Sequence, residues 1–253
     1  MQGDKISAAR RIIEALPQYE LVKDRVDGWL DGVQKIDPDR IDWHALRLTG
    51  FGGSEIGALV RDFYSAKRVI LEKLLLSLPE SPAPGARRET VMEPIHRIEF
   101  LAKYGLKQDK DALRLILAAQ GEIPWARHCP DDICLTGAGQ RLLVGYKSPS
   151  ELSTEESLEY KAQLHLGLLI GEQAGIEFDG MVLSEMGWGA WNTKEFFVER
   201  DGDLMGEILD AGNYYWNCVL KGEVPAQVMP LSRKVERAVM VDRIEERKER
   251  MRA

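Results

Sequence analysis

Between Cys129 and Pro149 the chain reads as two short apolar strands closed by a turn, and this ribbon constrains the fold more than any other stretch. Cys129-Pro130-Asp131-Asp132-Ile133-Cys134-Leu135 leads into Thr136–Gln140, which carries Gly137 and Gly139, and Leu142-Leu143-Val144-Gly145-Tyr146-Lys147 returns. Side chains alternate faces along a strand, so Gly145 and Lys147 point one way while Val144 and Tyr146 point the other. Asp131 and Asp132 likewise face opposite sides, and only one of them can join Lys147. An acid near the end of one strand, followed by acid-x-Lys on the next, sets a divalent cation beside an ammonium. Phosphodiester cleavage needs that grouping: carboxylates hold Mg²⁺ or Mn²⁺ against the phosphate, and the lysine positions or deprotonates a water. Here the acid-x-Lys place reads Gly145-Tyr146-Lys147, one acid short. By itself the pattern is weak, because such pairs arise by chance in many chains.

The remaining segments predict helices around this ribbon. Ile12, Ile13, Leu16, Leu21, Val22, Val26, Trp29, Leu30 and Val33 recur near helical spacing, interrupted by Pro17 and closed by Asp37-Pro38-Asp39. Two glycines before Ser54-Glu55 and the apolar Ile56–Val60 run predict a tight loop feeding a helix, with Ser54 as N-cap. Further helices are predicted over 66–78, over 90–104 with Pro94 placed in the first turn, over 158–171 and over 203–220. The runs 112–118 and 125–135 suit strands, and 180–185 with 195–199 suit a closing hairpin around residues 187–192. The expected fold class is α/β, a mixed sheet flanked by helices. The expected division is a helical segment over 1–40, a main domain over 41–230 and a charged helical tail over 231–253.

Composition sets the outer bounds. A chain of 253 residues with 44% hydrophobic and 30% charged residues can bury one sizeable core. No apolar run reaches the roughly 18 residues a membrane span needs, and Met1–Lys5 lacks the apolar centre of a signal peptide, so a cytoplasmic location is expected. Three cysteines, Cys129, Cys134 and Cys218, show no metal-ligand spacing and are expected as buried thiols. The formal charge of −7 argues against coating nucleic acid by bulk electrostatics, yet leaves room for a local basic channel beside clustered carboxylates. From Ser232 onward eight basic residues stand against five acidic ones, which suits a solvated terminal helix or a partner-binding arm.

Four segments, in order, resemble the lambda exonuclease family, the YqaJ-like viral recombinases. Trp43-His44-Ala45-Leu46-Arg47 through Gly50-Phe51-Gly52-Gly53-Ser54-Glu55 is similar to the family's N-terminal motif. The resemblance implies that Arg47, Ser54 and the adjoining Gly53 receive a terminal 5′ phosphate, and a helix N-terminus with an arginine fork is a sound anion site. Glu93-Pro94-Ile95-His96 resembles the helix with a metal-site glutamate, Glu93. Cys129-Pro130-Asp131-Asp132 is similar to the family's Ser-Pro-Asp-Gly, which implies Asp131 as metal ligand. Tyr160-Lys161-Ala162-Gln163 resembles the helix whose glutamine, here Gln163, borders the site. The family implies a restriction-endonuclease-like core, Mg²⁺ or Mn²⁺ as cofactor, Lys147 on the attacking water and the Tyr146 backbone carbonyl on the metal. It further implies double-stranded DNA ends as substrate, a homotrimer and a single-strand annealing protein as partner.

The chain departs from the family at Gly145, where a metal-binding glutamate is usual. Three accounts compete: inactivation with DNA binding kept, replacement by Glu122, Asp132 or Glu151, or residual metal binding by Glu93 and Asp131. The expected activity is a Mg²⁺-dependent exodeoxyribonuclease acting from the 5′ end in phage-type recombination. The alternatives are a DNA-end-binding protein without catalysis, or another nuclease of the same fold in defence or repair. His44, His96, His128 and His165 lack ligand spacing and read as packing or surface residues. Tyr160 shares a helix face with Gln163 and either borders the site or packs. Trp188 and Trp191 either stack on bases or close their loop.

Overall fold

The computed structural model describes residues 2–80, 84–128, 130–189 and 191–225, without the side chains of residues 2–3 and 84–89. Cys129 and the predicted tail over 231–253 lie outside the described residues. Helices α1 (Gln2–Glu14), α2 (Tyr19–Val22), α3 (Val26–Ile36), α4 (Ile41–Arg47), α5 (Gly53–Arg61), α6 (Phe63–Lys73) and α7 (Pro84–Tyr104) precede the sheet. Then follow β1 (Lys107–Gln108), α8 (Lys110–Ala118), β2 (Asp132–Leu135), β3 (Arg141–Lys147), α9 (Leu158–Gln173), β4 (Gly180–Gly187), β5 (Asn192–Val198) and α10 (Gly202–Lys221).

The five strands lie in the order β1-β2-β3-β4-β5. Every neighbouring pair is antiparallel except β3 with β4, which run parallel with Lys147 opposite Glu185. A parallel pair needs a crossover, and α9 supplies it. This helix is apolar nearly all round, with Leu164, Leu166, Leu168 and Ile170 all buried, because it is covered by the sheet on one side and by other helices on the other. Buried side chains of α1 and α3, such as Ile13, Trp29 and Val33, belong to the same core as Ile56 of α5, Leu166 of α9 and Trp216 of α10. A second, smaller cluster of Phe100, Cys134, Val144, Tyr146 and Val182 lies where α7 packs on the other sheet face. None of the described helices is long and apolar enough to cross a membrane.

Three local expectations are corrected. Residues 112–118 form helix rather than strand: the Asp109 carboxylate caps Ala112 N–H at 3.0 Å, and Ala112 and Ile116, one turn apart, are the buried pair. Of the stretch 125–135, only Asp132–Leu135 joins the sheet, while Ala126 makes an isolated parallel bridge to Phe51. Pro94 lies inside α7, which begins at Pro84, ten residues before it, and not in a first turn. Cys134 and Cys218 are free, buried thiols, and burial pushes the Cys134 thiol up to about 12.

Candidate active site

The alternation argument holds in three dimensions. The Asp131 carboxylate sits beside the end of β3, where its Oδ2 accepts the Tyr146 backbone N–H at 2.8 Å and lies 3.7 Å from Lys147 Nζ. β2 pairs with β3 only as far as Asp132 opposite Val144, so beyond that point the β3 edge is available to the carboxylate. A Cβ placed on Gly145 would stand 3.8 Å from Asp131 Oδ2, which puts position 145 and Lys147 on one face. Asp132 points to the opposite face, fully buried, where it takes hydrogen bonds from Tyr146 Oη at 3.2 Å and Gln108 Nε2 at 2.8 Å. It is therefore committed elsewhere and does not replace the acid missing at Gly145. Glu122 and Glu151 are exposed.

Helix α7 brings Glu93 to the same place. Burial first, and then the negative charge of Asp131, raise the Glu93 carboxyl above the ordinary glutamate range, while Arg97 and Lys147 pull the other way. Arg97 is a residue that motif reading missed. Its Nη2 donates to Glu93 Oε1 at 2.7 Å and to the Asp131 backbone carbonyl at 2.8 Å, tying the two acids together. The signal available in the sequence was its i+4 spacing from Glu93.

Gln163 and Tyr160 of α9 line the cleft with Asp131, Gly145 and Lys147, and Lys147 Nζ lies 5.2 Å from the centre of the Tyr160 ring. Tyr160 thus borders the site. His128 lines the cleft as well; burial lowers its imidazole to about 4, so at neutral pH it is an uncharged wall. All four histidines are buried, as a packing role requires. A larger cavity of about 660 Å³ beside β5, lined by Lys161, His165 and Arg200 among others, shares no residue with this cleft.

The Gly-rich loop reaches the same region from the other side. The N-cap of α5 is Gly52 rather than Ser54, and Ser54 is the exposed second residue of the helix. The helix starts at Gly53, too early for Ser54 to cap it, and Glu55 acts from the third helical position, where its Oε2 accepts the Gly52 N–H at 2.8 Å. Gly53 is required by contact: a Cβ there would stand 2.6 Å from Gln163 Cγ and 2.7 Å from His128 Cε1. The start of α5 therefore abuts two walls of the Asp131 cleft. Gly53→Ala is expected to cost about 1–3 kcal/mol through this overpacking; equal denaturation midpoints for variant and parent would disprove the close approach.

Arg47, at the end of α4, stacks 4.9 Å from the Trp43 ring centre and pairs with Glu55 Oε1 at 2.9 Å. Glu55 is 4% exposed and also takes Lys73 Nζ at 2.7 Å, and Lys73 donates to the Arg47 backbone carbonyl. Glu72 lies with the same group and interacts with both cations, so the cluster sets two cations against two carboxylates. Neither Glu55 nor Lys73 was picked out from sequence, since the contact joins residues 18 positions apart.

No family model matches the chain, and no curated relative matches it. Among solved structures, an alkaline exonuclease from Laribacter hongkongensis matches with a TM-score of 0.53 at 16% identity, over 72% of this chain and 93% of that one. The same exonuclease in complex with dAMP matches with a TM-score of 0.51 at 16% identity. The fold is thus the restriction-endonuclease-like α/β core, a mixed sheet with flanking helices.

Proposed function

We propose that this chain is a nuclease for linear double-stranded DNA, a Mg²⁺- or Mn²⁺-dependent exodeoxyribonuclease working from the 5′ end in phage-type recombination. One observation carries the reading: Asp131 faces Lys147 and an open position 145, beside Glu93, while the start of α5 abuts the same cleft. The likeness in fold to an alkaline exonuclease supports it.

The donor set suits a hard divalent cation. Burial, and after it the charge of Asp131, raises Glu93, and a cation held between the two acids would offset both costs. Mg²⁺ commonly uses one or two carboxylates together with substrate phosphate and water. Main-chain N–H and C=O of one strand residue leave the same edge, so the Tyr146 carbonyl faces the side on which its N–H meets Asp131. Glu93, Asp131 and that carbonyl would hold the ion, which when bound would acidify a water and neutralise charge on the phosphate. Asp131 accepts the Tyr146 N–H and so is aimed into the cleft. Lys147, 3.7 Å away, orients the attacking water or holds its proton. Gln163 closes the cleft wall, and Arg47 with Ser54 and the Gly53 N–H takes the terminal phosphate. A homotrimer on double-stranded DNA ends, a single-strand annealing partner and a cytoplasmic location belong to the same proposal.

Digestion of 5′-phosphorylated linear duplex with Mg²⁺ or Mn²⁺, compared with a 5′-hydroxyl duplex, tests this. Preference for the phosphorylated end is expected, and Arg47→Ala should reduce it about tenfold or more, the scale of one charged hydrogen-bond pair. Equal handling of both ends by the parent would defeat the end-phosphate assignment. The second reading is an end-binding protein without catalysis. It is favoured by one observation: among the described residues no group of three or more His, Cys, Asp or Glu is arranged to hold a metal. Duplex binding without cleavage in either metal would select it.

A further inference from the structure

Behind the Asp131 cleft, on the other face of the β2–β3 ribbon, lies a buried carboxylate that the proposed chemistry leaves unused. Asp132 is fully buried and takes hydrogen bonds from Tyr146 Oη at 3.2 Å, Gln108 Nε2 at 2.8 Å and the Ile133 backbone N–H at 2.9 Å. A carboxylate withdrawn from water also needs a charge partner, and Arg97 of α7 supplies it. Arg97 Nε lies 3.4 Å from Asp132 Oδ2 and, itself buried, makes no hydrogen bond among the described residues. The other end of the same guanidinium faces the cleft, where Nη2 donates to Glu93 Oε1 at 2.7 Å and to the Asp131 carbonyl at 2.8 Å. One side chain therefore meets all three acidic residues.

These contacts close a ring. Asp131 accepts the Tyr146 backbone N–H, the Tyr146 phenol donates to Asp132, Asp132 faces Arg97, and Arg97 returns to the Asp131 carbonyl. A guanidinium is planar and its donors leave in fixed directions, so drawing Nε toward Asp132 sets where Nη2 points. The Tyr146 ring, 5.7 Å from Arg97 Cζ, covers the flat side. Glu93 is gripped through Oε1, and among the described residues its Oε2 takes no hydrogen bond. An arginine without the rear anchor would be free to lie across both acids as an internal counter-ion and compete with a metal. Asp132 holds the guanidinium back and leaves the cleft side of the acids to the ion.

We propose that Asp132 and Arg97 are positioning residues for the divalent-metal site: Asp132 anchors the guanidinium from the far face of the ribbon, and the guanidinium sets Glu93 and Asp131 for the cation. The proposal rests on the metal-dependent reading of the cleft and deepens it, since both residues act on the ion only through Glu93 and Asp131. The buried Asp132, which cannot itself reach the place at Gly145, thereby gains a part in the same site.

The test is Mn²⁺ binding by the full chain without DNA, read from loss of the free-ion signal in electron paramagnetic resonance. The parent is expected to bind Mn²⁺, and Asp131→Asn to abolish binding. Asp132→Asn keeps the shape of the side chain and removes the charge that anchors Arg97. Arg97→Lys keeps a charge beside the acids and removes the planar fork. Each should weaken Mn²⁺ binding by about 10–100-fold, the scale for groups that orient a metal ligand. Because both act through one contact, the double variant should bind within about threefold of the weaker single one. Duplex binding in EDTA, by anisotropy of labelled DNA, should stay within about threefold of the parent in both. If Asp132→Asn does not fold, Arg97→Lys, changed at a partly exposed position, still carries the test. Parent-like Mn²⁺ affinity in Arg97→Lys overturns the proposal, because charge alone then suffices. Losses that multiply in the double variant overturn it too, since the residues then act separately. An equal loss of duplex binding in EDTA marks general damage to the cleft and likewise overturns it. In each of these cases the metal site stands so long as Asp131→Asn abolishes binding. A parent that binds no Mn²⁺ removes the metal-dependent reading and the positioning role together.

Discussion

Gly145→Glu is expected to create a tight divalent-metal site and to raise DNA digestion by more than the 10–100-fold associated with residues that merely support a metal ligand. The backbone is ready for the side chain. A Cβ at position 145 meets Leu164 Cδ2 at 3.4 Å, Asp131 Oδ2 at 3.8 Å and Leu183 Cδ1 at 3.8 Å, all ordinary contacts. Its carboxylate would extend over the side that Asp131 already occupies. Without metal this adds a third negative charge to a site where Glu93 is already pushed up by burial and by Asp131. Like charges about 4 Å apart repel by ~1 kcal/mol in water and ~4 kcal/mol at the effective dielectric of a protein surface. The variant in EDTA should therefore melt below the parent. Adding Mn²⁺ should reverse the order, because a ligand bound only by the folded state stabilises it by mass action. Titration calorimetry and melting with and without Mn²⁺ check both signs. If the variant melts alike in EDTA and Mn²⁺, position 145 does not face a metal site.

The parts of this site that were legible in the sequence are those set by strand alternation. Gly145 and Lys147 share a face, and Asp131 and Asp132 are divided between two faces, because a strand leaves a side chain no other choice. Helix against strand over 112–118 was not legible from hydrophobic runs, since Leu113, Leu115, Ile116 and Leu117 satisfy neither period cleanly. The signal that decides it is the capping Asp109, three residues before Ala112. Ser54 was the better N-cap by residue type, yet Glu55 at the third helical position answers Gly52, a choice made by the box geometry rather than by propensity. Arg97 and Lys73 went unnoticed for different reasons. Arg97 sits one helical turn from Glu93 and could have been inferred; Lys73 meets Glu55 only after α6 folds back on α5. The wall formed by His128 and Gln163 at Gly53 is likewise a property of helix packing that no local pattern records.

Glu55→Ala is expected to be the most destabilising single change near the loop, about 3–5 kcal/mol, because it takes the carboxylate from the buried Lys73. Lys73 is 1% exposed and already pushed down by burial, so without Glu55 its ammonium either stays charged at a high desolvation cost or gives up its proton, while the Gly52 N–H loses its acceptor. Removing the pair together, as Glu55→Leu with Lys73→Met, should cost less than Glu55→Ala alone, since apolar replacement of a buried ion pair is often tolerated. The same pair sets an acid limit. Burial pushes the Glu55 carboxyl up, but the charges of Lys73 and Arg47 and the Gly52 N–H outweigh it and hold it below its ordinary 4.5. A carboxylate lowered in the folded state contributes stability that is present above its unfolded value and is lost as pH falls through the folded one. Melting temperature should therefore drop in the parent below about pH 4.5 more steeply than in Glu55→Gln, which has nothing to protonate there. Arg47 supplies the functional readout: without Glu55 its guanidinium loses the 2.9 Å contact that fixes it over Trp43, so 5′-phosphate preference should weaken even in molecules that remain folded. A Glu55→Gln protein with the parent's acid profile and the parent's end preference would show that Glu55 neither stabilises the loop nor positions Arg47.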